Sequence, residues 1–228
     1  MFWKKRPTLA VPEKFNRNSS KVASLMTPEQ SGQFLLQLMQ LRLGLRDYTE
    51  QAVLDFGCGV RFSQAILNLK LPFGQYVGVD CFSDMIEFLR AHVKDPRFSY
   101  HLLDVRHPLY NPDGGTLLDA QTVLPLPQKH FDIAAMFSVL THQHPDDAKH
   151  ILALLRRYVK PTGRLFLTCF LDEGIASFED RSPRRNGGMC FYHPAFLTQL
   201  LADSGWRPSA RYAADAPLIG DSFVCQAG

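Results

Sequence analysis

The chain has 228 residues, is 46 % apolar and 21 % charged, and carries a formal net charge of +3. That is enough chain for one domain with a sizeable core, or a domain plus a cap, and the small positive balance gives no reason to expect nucleic acid or an acidic membrane as partner. Five scattered cysteines with no CxxC pair argue against a disulfide framework or a zinc ribbon; the basic start MFWKKRP lacks a signal peptide's apolar run, and no segment is apolar enough to span a bilayer, so a cytoplasmic protein is expected.

Residues 1–20 are polar and irregular and read as an extended arm. The run TPEQSGQFLLQLMQLRLGL that follows opens with Thr27 as N-cap, Pro28 at the first helical position and Gln30 completing a capping box. Phe34, Leu35, Leu38, Leu41 and Leu45 recur at helical spacing, so this helix must pack on something. Strands and helices then alternate. Residues 52–56, 76–80, 98–103, 131–138 and 163–170 read as strands. Residues 62–69 have helical period, Ser83 caps a helix bearing Met85, Ile86, Leu89 and Val93, and further helices cover 145–158 and 194–204. The tail holds two strand-like pieces, 209–212 and 221–225, expected to pair as a hairpin at one sheet edge. Alternation of this kind builds a doubly wound α/β sheet, mostly parallel, with helices on both faces.

Two segments interrupt the rhythm. Residues 105–130 are rich in Pro and Gly and too long for a plain connection, and residues 172–192 are polar. Both follow sheet strands, so both are expected over the carboxyl edge, where open α/β sheets bind ligands.

The stretch VLDFGCGVRFSQAIL, residues 53–67, passes from buried strand through two glycines into an amphipathic helix. Gly57 and Gly59 let the backbone turn sharply and a ligand lie against it, and the following helix aims its unpaired N–H groups at the same point. Asp55 at the strand end can accept hydrogen bonds from a ligand ammonium or from loop amides. Asp80 ends the second strand 21 residues beyond Gly59, a spacing that brings a carboxylate to the ribose hydroxyls of an adenosine. Asp104 ends the third strand, placed to accept from an adenine amino group. A dinucleotide site would carry a third glycine where Phe62 stands, and a phosphate loop would carry Gly-Lys-Ser/Thr, which is absent.

The set VLDFGCG, VGVD, LLD and FDIAAMFSVLTH resembles the class I S-adenosylmethionine-dependent methyltransferases over residues 50–171. The resemblance implies a Rossmann-like seven-stranded sheet with a final antiparallel strand. It divides the chain into an arm and helical cap, 1–49, and a methyltransferase domain, 50–228. It also implies the site. Asp55, Gly57, Cys58 and Gly59 would line the methionine moiety of S-adenosyl-L-methionine. Asp80 would bind the ribose, with Cys81 and Met85 flanking it, and Asp104 with Val105 would hold the adenine. Phe137 and Ser138 would lie beside the sulfonium. YVKPTGRLFLTCF is similar to the family's turn and fifth strand, and Asp132 in FDI to its fourth-strand opening. Where members commonly read GCGxGRFS, this chain reads GCGVRFS, one residue shorter, so Arg61 and Phe62 keep the helix pattern and the glycine is deleted.

Methyl transfer from a sulfonium is an in-line displacement that mainly requires alignment, and an oxygen acceptor adds the need for a base. His142, in FSVLTHQHPDD after the fourth strand, is the candidate base. Its neighbours His144, Asp146 and Asp147 have the composition of a helix entry with acids in its first turn, and no metal site is expected. Tyr110, Asn111 and Asp113 in LYNPDGG form turns, or cover the acceptor. His107, His130 and His193 stand isolated in sequence, and Arg184 and Arg185 in SPRRNGG could grip an acidic substrate. The acceptor expected is a small molecule. Two rivals stand beside this reading: a non-catalytic S-adenosylmethionine sensor or scaffold, and an aminopropyl transferase on the same fold.

Overall fold

A computed structural model describes residues 9–16, 20–107, 110–182, 189–214 and 220–228. Five parallel strands make the centre of the sheet: β1 (Tyr48–Phe56), β2 (Phe73–Asp80), β3 (Phe98–Leu102), β4 (Phe131–Met136) and β5 (Val159–Leu171). Their order is β3-β2-β1-β4-β5. The chain winds outward from β1 to β3, then returns to the other side of β1, so the carboxyl ends of β1 and β4 border a topological switch point. At the far edge β9 (Asp221–Ala227) runs antiparallel to β5 and pairs with β8 (Trp206–Tyr212), the hairpin expected of the tail. Arg184 and Arg185 lie outside the described residues.

The segment 172–192 is more ordered than its polarity implies. It contains β6 (Phe178–Asp180) and β7 (Cys190–Tyr192), an antiparallel pair joined to the end of β5 through Phe170 and Leu171. Cys190 and Tyr192 are fully buried beneath it, and the Tyr192 hydroxyl donates to the Gln143 carbonyl at 2.7 Å. Two core side chains thus hold three-residue strands that local sequence cannot announce.

Alternate residues of each strand face opposite sides of the sheet. Leu54 and Val77 pack with α5 (Pro145–Tyr158) and α6 (Pro194–Asp203); Val53 and Tyr76 pack with α2 (Pro28–Arg42), α3 (Arg61–Leu69) and α4 (Ser83–His92). Asp55 shares the parity of Val53 and so faces the α3 side. Asp132 works as a structural mark: its carboxylate accepts from the Ala52 N–H at 3.0 Å and pairs with Lys160 at 2.7 Å, tying β4 to β1 and β5.

Helix α2 begins as read, with a complete Thr27–Gln30 capping box. Its buried stripe, however, is Leu35, Leu36 and Met39, continued by Leu43, whereas Leu41 is 77 % exposed. It crosses α3 at Gly32, where an added Cβ would lie 2.7 Å from the Arg61 carbonyl oxygen and 2.8 Å from the Ala65 Cβ. Ser83 is the first helical residue of α4 rather than its cap; Phe82 occupies the cap position, and its N–H is taken by the Asp80 carboxylate at 3.1 Å.

The arm is also not simply extended. A 3-10 turn at Glu13–Phe15 buries Phe15 against the rings of Phe82 and Phe88, and Leu9 is buried with it. The Leu9 backbone exchanges two hydrogen bonds with the Asn68 amide, at 2.8 and 3.1 Å. Two apolar side chains and one backbone clamp are enough to fasten a polar segment to the domain. Among the described residues no helix is long and apolar enough to cross a membrane, and no disulfide joins any of the five cysteines.

Candidate active site

A cavity of about 390 Å³ opens at the switch point. Its floor is the turn 57–60. Gly57 has φ +72°, and a Cβ there would strike the Val139 side chain at 2.6 Å, so no other residue fits the turn as built. The Gly57 and Cys58 N–H groups both donate to the Val79 carbonyl, at 2.8 and 3.1 Å, which pins the turn to the end of β2. Where Gly59 lacks a Cβ there is open space. One residue shorter than the family pattern, the turn still reaches the first turn of α3, whose hydrophobic residue Phe62 packs edge-on to Phe137 with ring centroids 4.9 Å apart.

Two carboxylates stand at the floor. Asp80 is 5 % exposed and accepts one backbone N–H on each oxygen, from Gly59 and Phe82, both at 3.1 Å. Each oxygen keeps a lone pair, so the carboxylate is held rigid and can still accept two hydroxyl groups. Asp55, 2 % exposed, accepts the Tyr76 hydroxyl at 2.6 Å. Burial pushes its carboxyl up to about 7; the Tyr76 bond works against that and the Asp80 charge adds to it.

Of the residues named from sequence, Asp55, Gly57, Cys58, Gly59, Asp80, Cys81, Val105, Phe137, Ser138 and His142 all line this cavity. Two do not. Met85 is fully buried in the core between sheet and α4. Asp104 is exposed, and its carboxylate accepts from the Asn111 amide at 3.0 Å and the Gly115 N–H at 3.3 Å, so it organises its own loop. β4 ends at Met136, leaving Phe137 and Ser138 in the turn beyond it. Ser138 sits there at φ +57°, with its N–H on Thr168 Oγ1 at 2.7 Å.

The wall opposite the glycine turn is made of rings. His107 and Tyr110 stack with centroids 4.9 Å apart, and His142 stands edge-on to Tyr110 at 5.7 Å. All three line the cavity. His107 is buried, held by a backbone exchange with Asn111, at 2.9 Å in each direction. Sequence alone makes His107 an isolated histidine; its place just beyond the carboxyl end of β3 was the signal that could have recruited it. Asp147, on the first turn of α5, also lines the cavity, and burial raises its carboxyl above the usual range.

His144 also lines the cavity, and its ring packs against Phe178 with centroids 5.1 Å apart. Its ring nitrogen meets the Asp180 carboxylate at 3.1 Å, and with Cys190 it forms a group whose potential donor atoms lie within 4.8 Å of one another. Asp180 is at the same time fixed by the Ser182 N–H and hydroxyl, which hold its carboxyl below the usual range. The contact fastens the β6–β7 hairpin to the start of α5.

A mixed sheet of this order, with a glycine turn and a buried carboxylate at its switch point and a helix ahead of β1, defines the class I S-adenosylmethionine-dependent methyltransferase fold. Residues 29–209 match the family model described as a methyltransferase domain, and the chain belongs to that family, with S-adenosylmethionine as its cofactor. The solved structures it is similar to include the 1,6-didemethyltoxoflavin-N1-methyltransferase of Burkholderia thailandensis with bound 1,6-didemethyltoxoflavin and S-adenosylhomocysteine. The TM-score is 0.60 at 16 % identity, over 90 % of this chain and 80 % of that one. Another is a chain from the complex of the Haloferax volcanii Trm112 methyltransferase activator with a putative methyltransferase, at TM-score 0.57 and 14 % identity, over 84 % and 88 %. A third is an S-adenosylmethionine-dependent methyltransferase from Mesorhizobium loti, at 0.56 and 14 %, over 84 % and 97 %.

Proposed function

We propose that the protein transfers the methyl group of S-adenosylmethionine to a small molecule bound against the ring wall. The observation that carries this reading is the convergence, in one cavity, of the Gly57–Gly59 turn and Asp80 on one side and His107, Tyr110 and His142 on the other. Asp80 accepts the two ribose hydroxyls with Cys81 beside them. Val105 flanks the adenine. Asp55, Gly57, Cys58 and Gly59 surround the methionine end, and Phe137 and Ser138 border the sulfur. The residues fit the cofactor: an open glycine surface, a carboxylate with spare lone pairs on both oxygens, and a cavity of nucleoside size. When bound, the cofactor supplies an electrophilic methyl group on a positively charged sulfur.

The protein's own part is alignment. With the cofactor bound, its methyl group would be open to in-line attack by an acceptor lone pair, the carbon–sulfur bond breaking to leave a neutral thioether, so the residues would have to hold the two in line. Where the acceptor carries a proton, His142 receives it; His107 and Tyr110 hold the acceptor's plane against the rings. The segment ahead of β1 closes the other side, since Val11, Glu13 and Phe15 line the cavity. Incubation with methyl-labelled cofactor and a panel of phenol, amine and thiol acceptors tests the reading. Label is expected in a small planar acceptor. Binding of S-adenosylhomocysteine without transfer to any acceptor would leave a sensor instead.

A further inference from the structure

Beyond the ring wall, the start of α5 meets the β6–β7 hairpin, and three donor groups of different chemistry come together there. In an antiparallel pair, residues directly opposite one another put their side chains on the same face. Asp180 lies opposite Cys190 and Phe178 opposite Tyr192, so these four share one face of the hairpin. That face receives His144. Its ring packs on Phe178, its Nε2 lies 3.1 Å from Asp180 Oδ2, and Cys190 completes a group of donor atoms all within 4.8 Å of one another. Sequence placed His144 with its chain neighbours Asp146 and Asp147; the fold gives it Asp180, 36 residues on, and Cys190 beyond.

Three features of the group suit a metal ion. The second oxygen of Asp180, Oδ1, is held by the Ser182 N–H at 2.9 Å and by the Ser182 hydroxyl, which leaves Oδ2 aimed at the group; ligating carboxylates are oriented by such outer partners. One imidazole, one thiolate and one carboxylate carry two negative charges, which a divalent ion neutralises. A mixed nitrogen, sulfur and oxygen set suits zinc and its neighbours, whereas magnesium and calcium take oxygen. The group also has an entrance: the His144 side chain is 58 % exposed, while Cys190 is fully buried behind it. Bonds of about 2.0–2.3 Å set the donors of a tetrahedral zinc roughly 3.5 Å apart, so side-chain rotations of about an ångström close the group around an ion.

We propose that His144, Asp180 and Cys190 bind one divalent ion of the zinc class, with water in the fourth place, and that the ion clasps the β6–β7 hairpin to the start of α5. The Cys190 thiol gives its proton to solvent as the ion enters, and no group is oxidised. A clasp has work to do here, because strands of three residues are too short to hold a hairpin by themselves. The ion ties both strands to a helix that begins two residues after the His142 turn, and so steadies the wall on which His142 stands.

None of the tests requires methyl transfer. The full chain, dialysed against a chelator, is titrated with zinc chloride by calorimetry, with magnesium chloride for comparison, and with cobalt chloride followed by absorption. Wild type should take up one zinc ion per chain with a dissociation constant below about 1 μM, and no magnesium. Cobalt should give the near-ultraviolet charge-transfer band of a thiolate ligand and the intense visible bands of a four-coordinate ion. Zinc at about a hundred times its dissociation constant should raise the thermal midpoint by about 5 °C. His144→Ala, at an exposed ring, should weaken zinc by at least about a hundredfold, since even an outer partner of a ligand is worth about ten- to a hundredfold. Cys190→Ser should abolish the near-ultraviolet band, and Cys81→Ser should keep it. Circular dichroism of the variants without metal reports their folding, and should Cys190→Ser not fold, His144→Ala decides. Absence of zinc binding by wild type overturns the proposal. So does a folded His144→Ala variant of unchanged zinc affinity, a band that survives Cys190→Ser, or one that is lost in Cys81→Ser.

Discussion

The two walls of the cavity are built on different terms. On the glycine-turn side nearly every positioning contact involves the backbone: two amides on the Val79 carbonyl, and two more on the Asp80 carboxylate. On the ring side the candidate groups sit on the loop after β3 and the turn after β4, where the rings pack on one another and local backbone bonds, among them the His107–Asn111 exchange and the His142 N–H on the Val139 carbonyl, shape the loops. A backbone lattice specifies one ligand and tolerates little sequence change. Side chains on loops can be exchanged without disturbing the sheet, so the proposed function puts the choice of acceptor here.

Replacement of Asp80 by alanine breaks the first wall most severely. It removes the anchor of the Gly59 and Phe82 amides together with the two proposed ribose contacts, and S-adenosylhomocysteine affinity should fall by about 3 kcal/mol in calorimetry, or more than a hundredfold. On the ring wall the effect should appear in turnover instead. His142→Ala should lower kcat by about a hundredfold for a hydroxyl acceptor while the dissociation constant for S-adenosylhomocysteine stays within about twofold. An equal loss in both measurements would erase the distinction between the walls.

Asp55 sharpens the comparison through pH. Its carboxyl stands at about 7 in the folded protein against 3.8 ordinarily, so the folded state holds this proton more tightly than the unfolded chain. The associated stability is complete below the ordinary value and is lost as pH rises to about 7. Between those limits, wild type should lose about 2–4 kcal/mol relative to Asp55→Asn in denaturant titrations. Gly32→Ala should cost about 1–3 kcal/mol at any pH, because the new methyl presses on the Arg61 carbonyl and the Ala65 side chain. The smallest effect is expected from Asp104→Ala. With its carboxylate turned to Asn111 and Gly115, S-adenosylhomocysteine affinity should change by less than about twofold, or 0.4 kcal/mol.

The alternation of strands and helices, the glycine turn and the carboxylate that ends β2 were all legible in the residues, because each is a local pattern: a period, a forced φ, a fixed spacing. Met85 and Asp104 were not. An apolar residue on the first turn of a helix and a carboxylate after a strand look the same whether they face a ligand or not, and here packing under α4 and the Asn111 amide took them. The short β6–β7 pair, the buried Leu9 and Phe15, and the exposed Leu41 depended likewise on partners far away in the chain.

By itself, then, the sequence determined the doubly wound sheet, the place of its cavity, and the glycine turn and strand-end carboxylate that line it, since hydrophobic period and backbone sterics act over a few residues. Only the tertiary structure decided which side chains share the cavity. The gathering of His107 and Tyr110 with His142 joins segments about thirty residues apart, and only the packed fold brings them to one wall.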